Sequence, residues 1–304
     1  MDLDHLNQAT GPRPIRWHAA TRAEAISLGR DWLLSPAFRS LASQLGGPRV
    51  DDPARDLPAL LRWSADALDT RRGGERHDAP PAAFSSSQVA ALLDAAGPLG
   101  LLSTPPPALP GYDITVVLGG TVTGNQLRAA LARTFADAGT RLGTLVALSA
   151  ERPLAPAEDP PTGHRTEVEH LTAVLGAALA RQHHAAVPRG PGGTGIQVMI
   201  AKPSRPGRRA DTSDAITELI RRLRPAARSH VLVITSAIYI PYQFLVIAPA
   251  LLTAGSRYAE ITGTPTATDG QLTILAQRLA QEIHATISAL AGHLSHSHVA
   301  QHRR

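Results

Sequence analysis

The spacing of hydrophobic positions changes along the chain at about residue 113. Beyond it, apolar runs of seven or eight residues alternate with stretches in which apolar residues recur every three or four positions. The first pattern is typical of strands buried on both faces, and the second of amphipathic helices. The runs predicted as strands are 114–120, 142–149, 196–202, 230–236 and 257–263. The predicted helices are about 124–138, 166–184, 211–223, 241–254 and 270–293.

This alternation of strands and helices predicts an α/β fold over 113–293. Because parallel neighbouring strands need a crossover connection, the order indicates a doubly wound, mostly parallel sheet of about five strands, Rossmann-like in class. A His- and Arg-rich tail follows at 294–304.

The part before residue 113 has a different pattern and predicts a helical subdomain over 1–104. Thr21 and Glu24 have the spacing of a capping box at the start of its first helix. The segment PPPALPGY at 105–112 then predicts a linker, because clustered prolines block helix continuation. Helical spacing is found at 21–45, 57–68 and 85–97.

Composition narrows the classes of chemistry open to the chain. The absence of cysteine excludes disulfides, thiolate metal sites and a cysteine nucleophile. No HExxH or GxSxG motif is present, so no metal is expected and no hydrolase signature is found. The start of the sequence lacks a signal-peptide pattern, and no apolar run approaches the ~20 residues that span a bilayer. We therefore expect a soluble, cytoplasmic protein, and the Ala- and Arg-rich usage is typical of GC-rich bacteria.

A basic balance raises the question of nucleic acid as a partner. The net charge is +5 and the pI is about 10.3. However, the 25 acidic residues nearly match the 30 basic ones, and the arginines are scattered. The segment SSSQVAALLDAAGPLGLL superficially suits a helix-turn-helix, but it offers no Arg or Asn after its turn to read bases. Nucleic-acid binding is therefore not favoured.

The residues that follow the predicted strands are candidate ligand-binding residues, because ligands of open α/β sheets bind beyond the carboxyl ends of the strands. The first strand leads into Gly119, Gly120 and Thr121 and then a helix that carries Arg128. Glycines let the backbone approach a ligand, and exposed amides at a helix N-terminus favour an anion. The same residues also suit an ordinary tight turn between a strand and a helix.

The other strand ends carry further charged and hydroxyl groups. The second strand leads into Arg152, the third ends at Lys202, and the fourth ends at Ser236 with Tyr239 behind it. Lys202 is the one lysine among 30 Lys and Arg residues, and its compact charge is not reproduced by an arginine fork. We expect Arg128, Arg152 and Lys202 to neutralise an anionic ligand, with Ser236 or Tyr239 orienting the reacting group. A chance of composition is the alternative for Lys202.

A carboxylate at this edge could serve as a general base, and Glu169 is the catalytic candidate. Glu169 also stands three residues after Thr166, which is the spacing of a capping box. In that alternative, Glu167 is the acid that faces the site.

The order of these segments resembles the YdcF/SanA/ElyC-like domain family over about residues 112–262. The resemblance is carried by DITVVLGGTV, with its strand and glycine pair, and by the acid-bearing helix TEVEHLTAVL. It continues in RRADTSDAI, centred on a threonine, and in VLVITSAIYIPYQ, with its Thr-Ser-Ala. The resemblance implies a Rossmann-type sheet and a function that is largely unknown in the family.

Ligand contacts are the second implication of this resemblance. The positions matched are Gly119, Gly120, Glu169, Thr212 and Ser236. This chain departs from the family where Tyr239 and Tyr242 stand in place of a His and an Arg, and where Asp211 replaces an Asn.

Three functions are consistent with the sequence. The favoured one is an enzyme, a transferase or hydrolase, that binds an anionic or nucleotide-like small molecule bearing phosphate or an S-adenosyl group. S-adenosylmethionine or a nucleotide would suit such a site as cofactor. The alternatives are a non-catalytic partner or envelope-biogenesis factor and, less favoured, a DNA-binding regulator. The apolar segment FLVIAPALL at 244–252 could form either a buried helix or a homo-oligomer contact.

Overall fold

A six-stranded, mostly parallel sheet forms the centre of the molecule. The computed structural model describes residues 15–71, 82–180, 195–205, 208–224, 228–268 and 270–301. The strands are β1 (Trp17–Ala19), β2 (Ile114–Leu118), β3 (Thr144–Ala150), β4 (Ile196–Ala201), β5 (His230–Ser236) and β6 (Tyr258–Thr264). Their order across the sheet is β1-β6-β5-β2-β3-β4, with β1 antiparallel to β6 and the other neighbours parallel. The predicted α/β class and all five predicted strands are confirmed.

Helices cover both faces of the sheet, as a doubly wound fold requires. Among the described residues, four helices precede β2: α1 (Arg22–Leu34), α2 (Pro36–Gln44), α3 (Pro53–Ala67) and α4 (Ser86–Ala96). In the same ranges, five follow it: α5 (Val122–Asp137), α6 (Glu167–Leu179), α7 (Thr212–Leu223), α8 (Ile240–Thr253) and α9 (Leu272–Gln301). The last part of the helix predicted at 166–184 lies outside the described residues, whereas the segment predicted as a tail is helical as far as Gln301.

The two faces of the sheet have separate hydrophobic cores. On one face, α5 and α6 bury Phe135 and Leu171 against Val117 and Ile234. On the other, α7 and α8 pack against the sheet, and the core continues outward into α9 and the N-terminal helices. Residues of this second core include Trp17, Trp32, Phe38, Leu92, Ile216, Phe244, Ile283 and Leu290. The apolar segment 244–252 thus lies within α8, which is largely buried.

The strand β1 was not anticipated by the sequence, which predicted only helices before residue 104. It is three residues long, with Trp17 and Ala19 buried and His18 exposed. Trp17 lies opposite Ile261 of β6, and its ring packs 5.4 Å from that of Phe244. A strand this short carries no readable periodicity, so only the pairing with β6 defines it.

The Pro-rich segment 105–112 is tied to β6 by a buried carboxylate. Glu260, 1% exposed, accepts hydrogen bonds from the Ala108 N–H at 3.0 Å and from the Tyr112 hydroxyl. Arg16 Nη1 donates at 3.1 Å and the Tyr258 hydroxyl at 3.2 Å. Burial, together with the Glu260 charge, raises the pKa of both tyrosines, so both remain hydrogen-bond donors. Glu260 thereby joins the segment before β2 to the edge of the sheet.

We expect Glu260→Gln to lower the free energy of unfolding by about 3 kcal/mol, because it leaves the Arg16 charge and several donors without the carboxylate that they share. Urea unfolding of the two proteins measures the difference. Asp66→Asn, which removes an exposed carboxylate on α3, is the control and should change stability by less than about 0.5 kcal/mol. Equal effects of the two substitutions would contradict a central role for Glu260.

Candidate functional site

The candidate site lies where the winding of the sheet reverses. β2 and β5 are neighbours, but β3 and β4 extend the sheet in one direction and β6 extends it in the other. The carboxyl ends of β2 and β5 therefore flank the crevice in which doubly wound proteins bind ligands. Gly119 and Gly120 follow β2, and Ser236 ends β5.

Arg128 extends from α5 into this crevice and is 3% exposed. Its Nη1 donates to the carbonyl oxygens of Leu118 at 2.7 Å and Gly119 at 2.6 Å. Its Nε and Nη2 donate to Ser236 Oγ at 3.3 and 3.2 Å. The guanidinium thus joins the ends of the two central strands, and α5 holds it because Arg128 faces the sheet beside the buried Ala129 and Ala132.

The two residues predicted to orient a reacting group contact this guanidinium. Ser236 Oγ also accepts from Thr264 Oγ1 at 3.2 Å, so its position is fixed from β6 as well as from α5. The guanidinium carbon of Arg128 lies over the Tyr239 ring, 6.0 Å from the ring centroid, which is the limit of a cation–π contact. The sequence prediction that Arg128, Ser236 and Tyr239 meet at one edge agrees with this geometry.

A second buried charge, Glu167, lies beside the glycine pair and is 3% exposed. Its Oε1 accepts from Ser149 Oγ at 2.6 Å. Its Oε2 accepts from Arg152 Nε at 2.7 Å and Arg209 Nη2 at 3.2 Å. These partners follow β3 and precede α7, so Glu167 gathers two loops of the carboxyl edge around the first residue of α6.

Glu158 extends this network to the start of α5. Its Oε2 accepts from the Val122 N–H at 3.2 Å and from Arg152 Nη2 at 3.1 Å, and its Oε1 accepts from Arg152 Nη1 and the Ala155 N–H. The Arg152 guanidinium lowers the pKa of Glu158, and the same contact raises the pKa of Arg152. Both groups are therefore charged at neutral pH, with Arg152 held between Glu158 and Glu167.

Asn125 forms a hydrogen bond with the glycine turn, and His170 contacts Asn125. Asn125 Oδ1 accepts from the Gly120 N–H at 2.8 Å, and its Nδ2 donates to the Glu167 carbonyl at 3.2 Å. This fixes the amide orientation, so the Nδ2 that lies 3.3 Å from His170 Nδ1 is a donor there. His170 Nδ1 is consequently an acceptor, and the proton of the neutral ring is on Nε2.

The glycine pair is required by these side chains themselves. A Cβ atom at residue 119 would lie 2.5 Å from Glu167 Oε1 and closer still to Ser149 Oγ. At residue 120 it would lie 2.9 Å from Arg128 Nη1. The space that a ligand could use next to the backbone is thus occupied by Ser149, Glu167 and Arg128.

Two of the predicted site residues serve as caps. Thr121 is the N-cap of α5, where its hydroxyl accepts from the Gly124 N–H at 3.1 Å. Glu169 is exposed and forms a capping box with Thr166, accepting from the N–H groups of Arg165 and Thr166 at 2.8 and 3.0 Å. The alternative in which Glu167 faces the site thus describes the observed geometry of α6.

Two other predicted residues lie at the edge but outside the buried network. Lys202 is the first residue after β4, is exposed, and makes no hydrogen bond or ion pair with other residues of the described ranges. Thr212 begins α7 on the opposite face of the sheet from Arg128. There it lines a small cavity whose other walls are apolar, formed by Val116, Leu118, Leu148, Ala215, Ile216, Leu219, Val233 and Ile247.

Glu158, Asn125 and His170 are polar residues of the site that the sequence did not indicate as catalytic or ligand-binding. Glu158 lies in the stretch PLAPAEDPP, where prolines hide any periodicity. Asn125 and His170 are helical and carry no motif, but His170 stands three residues after Glu167, which places both on one face of α6. Within the described ranges, no group of three or more His, Asp or Glu side chains is arranged to hold a metal ion.

We expect Gly119→Ala to lower the free energy of unfolding by about 2 kcal/mol, because the added methyl group overpacks Ser149 and Glu167. Gly292→Ala on α9, where a Cβ meets nothing within 4 Å, is the matched control and should be neutral or stabilising. Urea unfolding distinguishes the two variants. If Gly119→Ala leaves the free energy of unfolding unchanged, then Ser149 and Glu167 move to accommodate the methyl group without loss of stability.

Stability should also fall as the pH falls through the range in which histidine titrates. Burial lowers the pKa of His170 below its usual 6.5, with a smaller contribution from His164. Above pH 6.5 the ring is neutral in both states, whereas below it the unfolded chain takes up a proton more readily than the folded one. His170→Gln should therefore weaken the loss of stability between pH 7.5 and 5.0, measured by urea unfolding. Equal slopes in the wild type and in His170→Gln would contradict the prediction.

Comparison with known proteins gives a match in the N-terminal part of the chain. The family model described as the Rv3785 N-terminal domain matches residues 17–100, the part of the chain from β1 through α4. No curated protein and no solved structure matches the chain. None of the helices described in the structure is both long enough and apolar enough to cross a membrane. The matched residues all precede β2, so the family match includes none of the carboxyl-edge residues.

Proposed function

We propose that this protein binds an anionic or nucleotide-like small molecule at the carboxyl edge of its parallel sheet. The observation that carries the proposal is the convergence of three guanidinium groups from separate elements beside the glycine pair. Arg128 comes from α5, Arg152 follows β3, and Arg209 precedes α7. Guanidinium groups match the geometry of phosphate and carboxylate oxygens, and the position coincides with the usual ligand crevice of the fold.

Lys202 and Arg209 are the cations that a ligand would meet first. Lys202 is exposed, and the Arg209 side chain is 42% exposed although it contacts Glu167. The buried Arg128 lies deeper, so basic side chains are present both at the surface and in the crevice. Basic groups at such positions attract an anion on approach.

A transferase or hydrolase reaction on a phosphorylated or S-adenosyl-bearing substrate is the activity that we infer for this site. Ser236 and Tyr239 lie next to Arg128, where they would orient the reacting group. Glu167 is the carboxylate within the network, but both of its oxygens already accept hydrogen bonds, from Ser149, Arg152 and Arg209. The resemblance to YdcF/SanA/ElyC-like domains supports a ligand at this edge.

A non-catalytic ligand-binding role is the second candidate. It is favoured by the hydrogen bonds that hold Ser236 from two sides and Glu167 from three. Groups fixed in this way suit recognition, since a nucleophile or base must be free to exchange a proton with its substrate.

A thermal-shift screen of nucleotides, S-adenosyl compounds, phosphosugars and polyphosphates tests the proposal. At a concentration near 100 times Kd, a true ligand should raise the melting temperature of the wild type by about 4 °C. Lys202→Ala should weaken binding by about tenfold and reduce this shift, because one charge-assisted contact is lost. Lys202→Arg tests whether the compact ammonium group is required.

Arg39→Ala, which removes an exposed cation from α2, is the matched control and should respond as the wild type does. A screen in which no compound shifts the wild type would contradict the proposed function. If the same ligand shifts the melting temperatures of Lys202→Ala and Arg39→Ala equally, the protein binds that ligand but Lys202 does not contact it.

A further inference from the structure

We propose that segment 151–166 is a lid over the anion position, and that the Glu158 carboxylate is an internal anion which the ligand displaces. The inference rests on the proposed function, because it assigns the ligand's anionic group to the place that Glu158 holds. That anionic group is a phosphate or a carboxylate, with at least two acceptor oxygens.

The partners of Glu158 are those that a bound anion takes in other proteins. Val122, whose N–H donates to Oε2, is the first residue of α5, where free N–H groups and the helix dipole favour negative charge. Arg152 contributes Nη1 and Nη2 to the same carboxylate in a forked arrangement. The carboxylate therefore occupies a position built for two oxygen atoms of an anion.

The segment that carries Glu158 is anchored at its two ends. Leu154 N–H donates to the Arg165 carbonyl at 2.9 Å, and the Glu167 N–H donates to the Arg152 carbonyl at 2.8 Å. Between these ends lie a short 3₁₀ turn, Pro156–Glu158, and Asp159 in the left-handed conformation. Most side chains from 155 to 163 are exposed, so little buried apolar surface opposes a swing of the tip about its anchors.

His170 supplies independent evidence that something besides the protein belongs under this segment. The side chain is fully buried, and its Nε2 has no hydrogen-bond partner. Because Asn125 donates to Nδ1, Nε2 carries the proton and is a buried donor without an acceptor. Its ring packs 5.4 Å from that of His164, whose Nδ1 also lacks a partner. An unmet buried donor is destabilising, and a ligand oxygen that reached Nε2 would remove this cost.

The charge on Arg152 points to the same ligand class. With the lid closed, Arg152 contacts two carboxylates, Glu158 and Glu167. Withdrawal of Glu158 removes one of these carboxylates from Arg152 and leaves the Val122 N–H without this acceptor. An anion that enters then restores an acceptor to both groups.

Glu158→Gln tests the inference, because it removes the competing charge and keeps the size of the side chain. Asp159→Asn is the matched control, because it removes the same charge one residue away and Asn tolerates φ near 49°. The Asp159 carboxylate is exposed and makes no hydrogen bond with the part of the chain that the structure describes. Isothermal titration with pyrophosphate, and in parallel with malonate, should show Glu158→Gln binding one of these probes about tenfold more tightly than the wild type and Asp159→Asn. Which probe binds distinguishes a phosphate site from a carboxylate site.

Equal affinity in the three proteins would overturn the lid and leave the proposed function standing. Absence of binding of both probes to all three proteins would count against the lid and the proposed function together. Hydrogen exchange of the wild type by mass spectrometry gives a second measurement that does not depend on the folding of a variant. The bound probe should speed exchange in peptides covering 155–164, and unchanged or slower exchange there would overturn the inference.

Discussion

The Arg128 guanidinium is the contact on which the organisation of the carboxyl edge depends. In a doubly wound sheet, the connections that follow the two central strands run to opposite faces, and the crevice between these connections is where a ligand binds. Arg128 spans that crevice by donating to two carbonyl groups at the end of β2 and to a hydroxyl at the end of β5. Burial of a guanidinium is costly unless its N–H groups are hydrogen-bonded. Here they donate to buried or partly buried oxygen atoms, which would themselves be costly to leave without a donor. The glycine pair, the cap of α5 and the position of Ser236 are all arranged around it.

The second network differs from the first in how its charge is balanced. Glu167 and Glu158 share Arg152, and the contact of Arg209 with Glu167 brings in the loop before α7. Buried ion pairs of this kind contribute little net stability, because the cost of desolvating each ion offsets most of the attraction. They do fix the geometry of the network, because removal of one partner leaves the charge of the other partner without compensation. Such a network is stable when complete and responsive when one member is replaced, which is the property that a ligand-displaced carboxylate needs.

The N-terminal helices and the sheet are joined by packing and by a buried charge. α1 packs on α8, α3 and α4 pack on α9, and the residues between them belong to one continuous hydrophobic core. β1 adds Trp17 to that core and extends the sheet beyond β6. Glu260 holds the Pro-rich segment against the same strand. Three residues of β6 therefore pair with β1, so this part of β6 is not an open edge at which chains could pair.

The sequence alone determined the fold class, the five long strands and their helices, because strands buried on both faces leave continuous apolar runs and helices leave a period of 3.6 residues. It also placed Gly119, Gly120, Arg128, Arg152 and Ser236 at one edge, since the carboxyl ends of parallel strands share an edge whatever their spatial order. The tertiary structure alone decided that Glu167 rather than Glu169 enters the network, that Glu158 reaches α5, that Asn125 fixes the His170 tautomer, and that β1 pairs with β6. Each of these depends on a contact between residues far apart in the chain or on which way a helix faces, and neither is encoded in local spacing.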